Sequence, residues 1–133
     1  MKERSDVISV YKSVGFLSLC DILSEAWIFI HEAKLAQATG ELLESFSEVR
    51  QIGTASNKAA VFSFVMEGAH PNDIGMILDR EGIAIRTGHH CTQPLLARFG
   101  VSATARASFG LYNSLDEVAA FGRGLEKVMR MFA

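Results

Sequence analysis

The stretch that decides the reading is Ile83-Ala84-Ile85-Arg86-Thr87-Gly88-His89-His90-Cys91-Thr92-Gln93-Pro94-Leu95-Leu96, continued to Gly100 and then by Thr104-Ala105-Arg106-Ala107-Ser108-Phe109-Gly110-Leu111. Ile83 to Thr87 predicts a strand. Gly88 to Gln93 interrupts it with small and polar residues and predicts a loop. Pro94 suits the start of a short helix and Gly100 its end. Thr104 to Leu111 predicts a second strand. Two strands thus flank a loop that carries a thiol and two imidazoles.

Working outward, Ala60 to Met66 is a continuous apolar run with Phe62 and Phe64, the pattern of a strand covered on both faces. Val49 to Thr54 predicts a shorter strand, and Gly53 to Lys58 a turn. Between these and the thiol loop, His70-Pro71 opens a helix with Ile74, Ile77 and Leu78 facing inward, stopped by Gly82. Upstream, Val7, Val10, Tyr11, Val14 and Leu17 recur at helical spacing over residues 7–23. Ser24 is a candidate cap for a second helix to about Phe46, with Ile28, Leu35, Leu42 and Phe46 on its buried side. Downstream, Ser114 and Glu117 form an S-x-x-E capping box. The helix they open carries Val118, Phe121, Leu125, Val128 and Phe132 on one stripe. The element order implies an α+β layer, a small sheet of about four strands with helices packed on it.

The 133 residues fit one main domain, and 49% hydrophobic against 21% charged residues fits a packed globule rather than a disordered chain. A net charge of -2 without any Lys/Arg run argues against nucleic acid as a partner. Two cysteines, Cys20 and Cys91, are too few for a secreted disulfide framework and suggest the cytoplasm. The charges Asp21 and Glu25 interrupt the apolar N-terminal stretch, so it reads as helix rather than signal peptide. No stretch is long and apolar enough to suggest a bilayer span.

A thiol near ~8.5 becomes a nucleophile when cations or a helix N-terminus favour its thiolate. Arg86, His89 and His90 precede Cys91, and a Pro-started helix follows. On this local pattern a reactive thiol and an inert thiol in a turn are equally supported. A zinc site is disfavoured because three adjacent residues do not converge on one ion and no second Cys/His pair lies nearby. A Cys/His hydrolase dyad is disfavoured because no orienting third group is evident. Arg106 read alone is an ordinary surface ion-pairing residue on a strand.

The blocks Arg86 to Pro94 (RTGHHCTQP) and Ala103 to Asn113 (ATARASFGLYN) resemble the C-terminal domain of SufS-type, group II cysteine desulfurases of the class V aminotransferase family. Ile52-Gly53-Thr54, Phe62-Ser63-Phe64, His70-Pro71-Asn72-Asp73-Ile74 and Ile77-Leu78-Asp79 resemble that family in the same order. The resemblance covers about residues 26–133, leaving 1–25 as an atypical N-terminal helical segment. It implies the C-terminal fold of the fold-type I transferases that use pyridoxal phosphate (PLP). It also implies persulfide chemistry that moves sulfur from L-cysteine toward iron–sulfur cluster assembly, leaving L-alanine. Cys91 would be the nucleophile, Arg106 would hold the substrate carboxylate, and Arg86, His89 and His90 would support the loop.

The family's PLP is held by a large N-terminal domain with a Ser-x-His-Lys segment, and no such motif occurs here. Lys2, Lys12, Lys34, Lys58 and Lys127 read as solvated charges. No residue of this chain is therefore expected to bind the cofactor, no metal is expected, and the chain alone is expected to be inactive. A separate PLP-binding chain, a sulfur-acceptor protein and self-association into a homo-oligomer are the expected partnerships. A stand-alone persulfide relay and a non-catalytic interaction domain remain open beside this reading.

Overall fold

The computed structural model describes residues 19–55 and 58–132, with side chains from Ser24 onward. Its elements are α1 (Leu19–Glu44), β1 (Val49–Ile52), β2 (Val61–Met66), α2 (Pro71–Arg80), β3 (Arg86–Gly88), α3 (Gln93–Arg98), β4 (Thr104–Ser108) and α4 (Leu115–Phe132). The four strands form one sheet, order β1-β2-β4-β3, with every neighbouring pair antiparallel. This is the expected α+β layer. The chain divides into two units, Met1–His31 and Glu32–Ala133. Of the first, only the start of α1 is described; there Trp27 and His31, one helical turn apart, stack with ring centroids 5.2 Å apart. The helix expected over 7–23 lies mostly outside the described residues.

Ser24 does not cap a helix. It lies inside α1, which runs unbroken from Leu19. The reason is local: no Gly or Pro occurs between Leu19 and Gly40, so nothing stops the helix at a lone serine. Leu35, Thr39 and Leu43 form the fully buried line of α1, with Leu42 and Phe46 packed beside it.

The signals around α2 hold. His70 is the N-cap, its ring nitrogen accepting the Asn72 N–H, and Pro71 occupies the first turn. Gly82, at φ +76°, closes the helix. The Gly82 N–H donates to the Asp79 carbonyl and the Ile83 N–H to the Leu78 carbonyl, the Schellman pattern that uses the last free carbonyls. Gly100 repeats this after α3, with its own N–H on Ala97 and that of Val101 on Leu96. Because Ile83 is spent on the helix end, the expected strand over Ile83 to Thr87 shrinks to Arg86–Gly88. Likewise the strand expected to reach Leu111 ends at Ser108, beyond which Asn113 turns the chain by accepting the Gly110 N–H. The capping box forms as expected: Ser114 N–H to Glu117 Oε2, and Glu117 N–H to Ser114 Oγ.

The core lies on one face of the sheet. Phe62, Phe64 and Met66 of β2 with Ala105 and Ala107 of β4 pack against Leu43 of α1, Ile74 and Leu78 of α2, and Phe121, Leu125 and Val128 of α4. Each such large side chain contributes about 1.5–3 kcal/mol by leaving water. Phe132, expected on the α4 stripe, is 41% exposed at the helix end. β2 is not covered on both faces as expected: Val61 is 42% exposed and Ser63 and Val65 are half-buried, because all three packing helices take the Phe62/Phe64 side. The run reads as nearly all apolar because Val61 and Val65 flank Ser63 on the open face.

Candidate functional site

Directly paired residues share a face of an antiparallel sheet. The register pairs Arg86 with Arg106, Arg106 with Ser63, and Ser63 with Ile52. A row therefore crosses all four strands on the open face, with two arginines directly paired at its β3/β4 end. Like charges directly opposite are destabilising. Among the described residues neither arginine has a carboxylate within ion-pair distance; the ion pair found is Lys127 with Glu81, on the exposed surface. Arg106 Nε is buried and without a hydrogen-bond partner among the described residues. The ordinary surface ion pair that Arg106 suggests when read alone is thus not what the structure holds. Arginine is the side chain chemically suited to receiving a carboxylate, through two parallel N–H donors.

The thiol loop leaves β3 at Gly88, whose φ of +120° suits glycine alone. His90 and Cys91 follow at φ 53° and 61°. Two adjacent L residues in the left-handed region are unusual, and each is disfavoured by about 1–2 kcal/mol. Local hydrogen bonds hold the turn. Cys91 N–H donates to His89 Nδ1 at 3.1 Å, and Thr92 donates to the His89 carbonyl through its N–H at 2.8 Å and its hydroxyl at 2.9 Å. Thr92 therefore spends its hydroxyl backward on the loop rather than capping α3. Cys91 is exposed and its thiol is free.

His90 turns its ring onto β4. Nε2 lies 3.2 Å from the Thr104 carbonyl and 3.0 Å from Thr104 Oγ1. A carbonyl only accepts, so Nε2 carries the proton and donates. Burial, chiefly, holds the imidazole below its ordinary protonation range near 6.5; the Thr104 carbonyl opposes this, and Arg106, Arg86 and His89 reinforce it. Burial thus favours the neutral form of His90. The structure thus brings Cys91, His89, His90, Arg86 and Arg106 to one edge of the sheet. The contribution of Thr104 is missed by sequence reasoning; its i, i+2 spacing to Arg106, which puts both on one strand face, is the signal that carries it.

PLP attachment calls for a lysine at such a site. Lys58 is held by Gln51 Oε1 at 3.2 Å, the Gly53 carbonyl at 3.4 Å and the Phe62 ring at 4.3 Å. That is the β1 side, the opposite edge of the sheet from β3. Lys127 engages Glu81, and Lys34 projects from α1. Lys2 and Lys12 lie outside the described residues. The described lysines do not fit the attachment of that group. No three His, Cys, Asp or Glu side chains among the described residues converge as a metal site, and no described helix is long and apolar enough to cross a membrane.

The family described as Aminotransferase class-V matches residues 5–121. A probable cysteine desulfurase from Mycobacterium leprae is 39% identical over 130 residues, covering 96% of this chain and 30% of that protein. One from Xylella fastidiosa is 46% identical over 100 residues, covering 75% and 24%. Among solved structures, the apo cysteine desulfurase of Thermococcus onnurineus aligns with TM-score 0.73 at 40% identity, over 77% of this chain and 26% of that one. The desulfurase CsdA of Escherichia coli aligns with TM-score 0.72 at 26% identity, over 92% and 29%. The chain spans less than a third of the length of each of these relatives. It belongs to the class-V aminotransferase family, and its similarity within that family is to part of the cysteine desulfurases.

Proposed function

We propose that this chain is the C-terminal, sulfur-accepting domain of a SufS-type cysteine desulfurase. Cys91 takes the sulfur atom of L-cysteine, Arg106 receives the carboxylate, and Arg86 supports both charges. The observation that carries the reading is the juxtaposition at the β3/β4 edge: an exposed free thiol on a strained loop beside two arginines that lack carboxylate partners among the described residues.

The chemistry of this chain's own residues is limited and specific. The Cys91 thiolate attacks the substrate sulfur and a sulfur–sulfur bond forms. The carbon–sulfur bond breaks, its electron pair stays on carbon, and that carbon takes a proton to give alanine. Bound PLP supplies the electron sink for that pair in the family, and the described residues do not provide its lysine. A separate lysine-bearing chain is the proposed complement. A sulfur-acceptor protein feeding iron–sulfur assembly in the cytoplasm follows as the destination of the persulfide. The open face, with Val61 and Val65 beside the arginine row, is the surface proposed to meet that complement or a second copy.

The test mixes the chain with a lysine-bearing desulfurase domain, PLP and L-cysteine, and measures alanine together with the mass of the Cys91 peptide. Alanine release on mixing, with one sulfur added at Cys91, is expected; the Cys91→Ser chain gives neither. Sustained alanine release by the chain alone, or by the Cys91→Ser mixture, refutes the reading. One sulfur gained at Cys91 from a persulfidated donor without PLP, with no alanine on mixing, points instead to a stand-alone relay.

A further inference from the structure

Among the described residues, the hydrogen bonds of His89, Cys91 and Thr92 stay within the loop or enter α3. His90 is different. Its ring crosses to β4 and meets both oxygens of Thr104. Thr104 is fully buried, and its ladder partner is Gly88, the residue at which the loop leaves β3. The loop therefore departs from Thr104 through the backbone and returns to it through an imidazole two residues later. Arg106 lies two residues further along the same strand face.

This closure falls where the backbone is least willing. His90 and Cys91 sit in the left-handed region, and such geometry persists only where the surroundings over-determine it. The His89 ring accepts the Cys91 N–H, but both belong to the same turn and cannot fix that turn against the sheet. We propose that Thr104 is a positioning residue for Cys91, acting through His90: it anchors the thiol loop to the strand that carries Arg106. This rests on reading Cys91 as the sulfur acceptor, but the anchoring itself is measured without sulfur transfer. A valine at 104 would fill the same volume and suit the strand equally, so the hydroxyl is a choice that strand packing does not explain.

The test uses the full chain with Thr104→Val, Thr104→Ser and His90→Phe, followed by residue-resolved amide hydrogen exchange and by the rate of Cys91 alkylation with iodoacetamide. Thr104→Val removes the hydroxyl contact and leaves the carbonyl, so it is expected to speed exchange at the Cys91 and Thr92 amides by about threefold and to change the alkylation rate, and His90→Phe, which removes both contacts, by about tenfold, while Phe64 and Ala107 exchange as in the parent chain. Thr104→Ser, which keeps the hydroxyl, is expected to restore both readouts. Should Thr104→Val fail to fold, His90→Phe removes the donor from a half-buried position and is expected to free the same two amides. Unchanged Cys91 and Thr92 exchange in a folded variant overturns the proposal, as does acceleration spread evenly over the sheet or failure of serine to rescue. If the loop responds as expected while Cys91 gains no sulfur in the mixing experiment, the positioning stands and the desulfurase reading falls.

Discussion

Replacing Arg86 by glutamine is expected to stabilise the isolated chain. The register sets Arg86 directly opposite Arg106, with no carboxylate in reach of either among the described residues. Like charges so placed cost about 0.2–1 kcal/mol. Arg86 is exposed and Arg106 half-buried, so solvent and salt screen the pair. At ~0.01 M salt, where the screening length is ~30 Å, a gain of about 0.5 kcal/mol is reasonable. With a urea slope of about 1–3 kcal/mol per molar, the unfolding midpoint rises by about 0.3 M. Glutamine keeps part of the aliphatic stem, so lost packing offsets little of this. Sulfate should reverse the order. An anion seated between the arginines at about ten times its dissociation constant adds about 1.4 kcal/mol to the parent chain and less to the variant. Urea titrations at low salt, then with sulfate and with sodium chloride at matched ionic strength, separate screening from binding. A lower midpoint for Arg86→Gln at low salt, or equal stabilisation of both chains by sulfate over chloride, would show that the row is not an anion site.

Four further outcomes follow from the rest of the fold. A Cβ at Gly124 would stand 2.5 Å from Leu78 Cδ2 and 3.0 Å from Ile83 Cδ1 in the α2/α4 contact, so Gly124→Ala is expected to lose about 1 kcal/mol in urea unfolding despite its helix-propensity gain. Gly122→Ala, which meets the half-buried Leu42 at 2.8 Å, should be nearly neutral; a larger loss there than at Gly124 would contradict this packing. Ser114→Ala removes half of the capping box and should cost about 1 kcal/mol, read as a drop in midpoint that Ser114→Asp does not show. Burial disfavours the charged form of His90 in the folded chain, so near pH 6.5 the unfolded chain binds more protons than the folded one. Its contribution is present above about 6.5 and lost as the pH falls below it. The stability of the parent chain should therefore drop more steeply between pH 7.5 and 5.5 than that of His90→Phe, and equal slopes would refute the assignment.

Local chemistry made most of the fold legible. Pro71, Gly82, Gly100 and the Ser114/Glu117 pair mark helix ends through effects confined to one turn, and each acts where the sequence places it. The helical stripe Val118, Phe121, Leu125 and Val128 needs only the period of the helix. The misreadings arose where a lone residue's chemistry was overruled by its neighbours, near in sequence or far. Ser24 has the right chemistry for a cap, but only a break before it would make it one. Val61 and Val65 look like core until the helices are seen to share one face. Ile83 looks like strand until its N–H is found on Leu78. For the site, Cys91 and its histidines stand in one legible block. The opposition of Arg86 and Arg106 depends on strand register, and the His90–Thr104 bond spans fourteen positions; no local pattern encodes either.

The residues that break local rules are not scattered. Among the described residues, the two adjacent left-handed residues, the two opposed arginines and two of the three buried unpartnered side-chain atoms belong to the β3/β4 edge and its loop; the third, Thr39 Oγ1, belongs to α1 on the other side of the sheet. A stability optimum would place glycine at 91, an acid opposite Arg106 and valine at 104. Each of those changes would remove a feature suited to accepting sulfur beside a carboxylate: the thiol, the free guanidinium, the anchored imidazole. Where local consistency fails at several positions that meet in space, function is the economical explanation, because packing alone would have relieved each of them separately. The same reasoning sets the order in which the site should fail. Loss of Thr104 should loosen the loop, loss of Arg86 should weaken anion binding, and only loss of Cys91 should abolish sulfur acceptance outright.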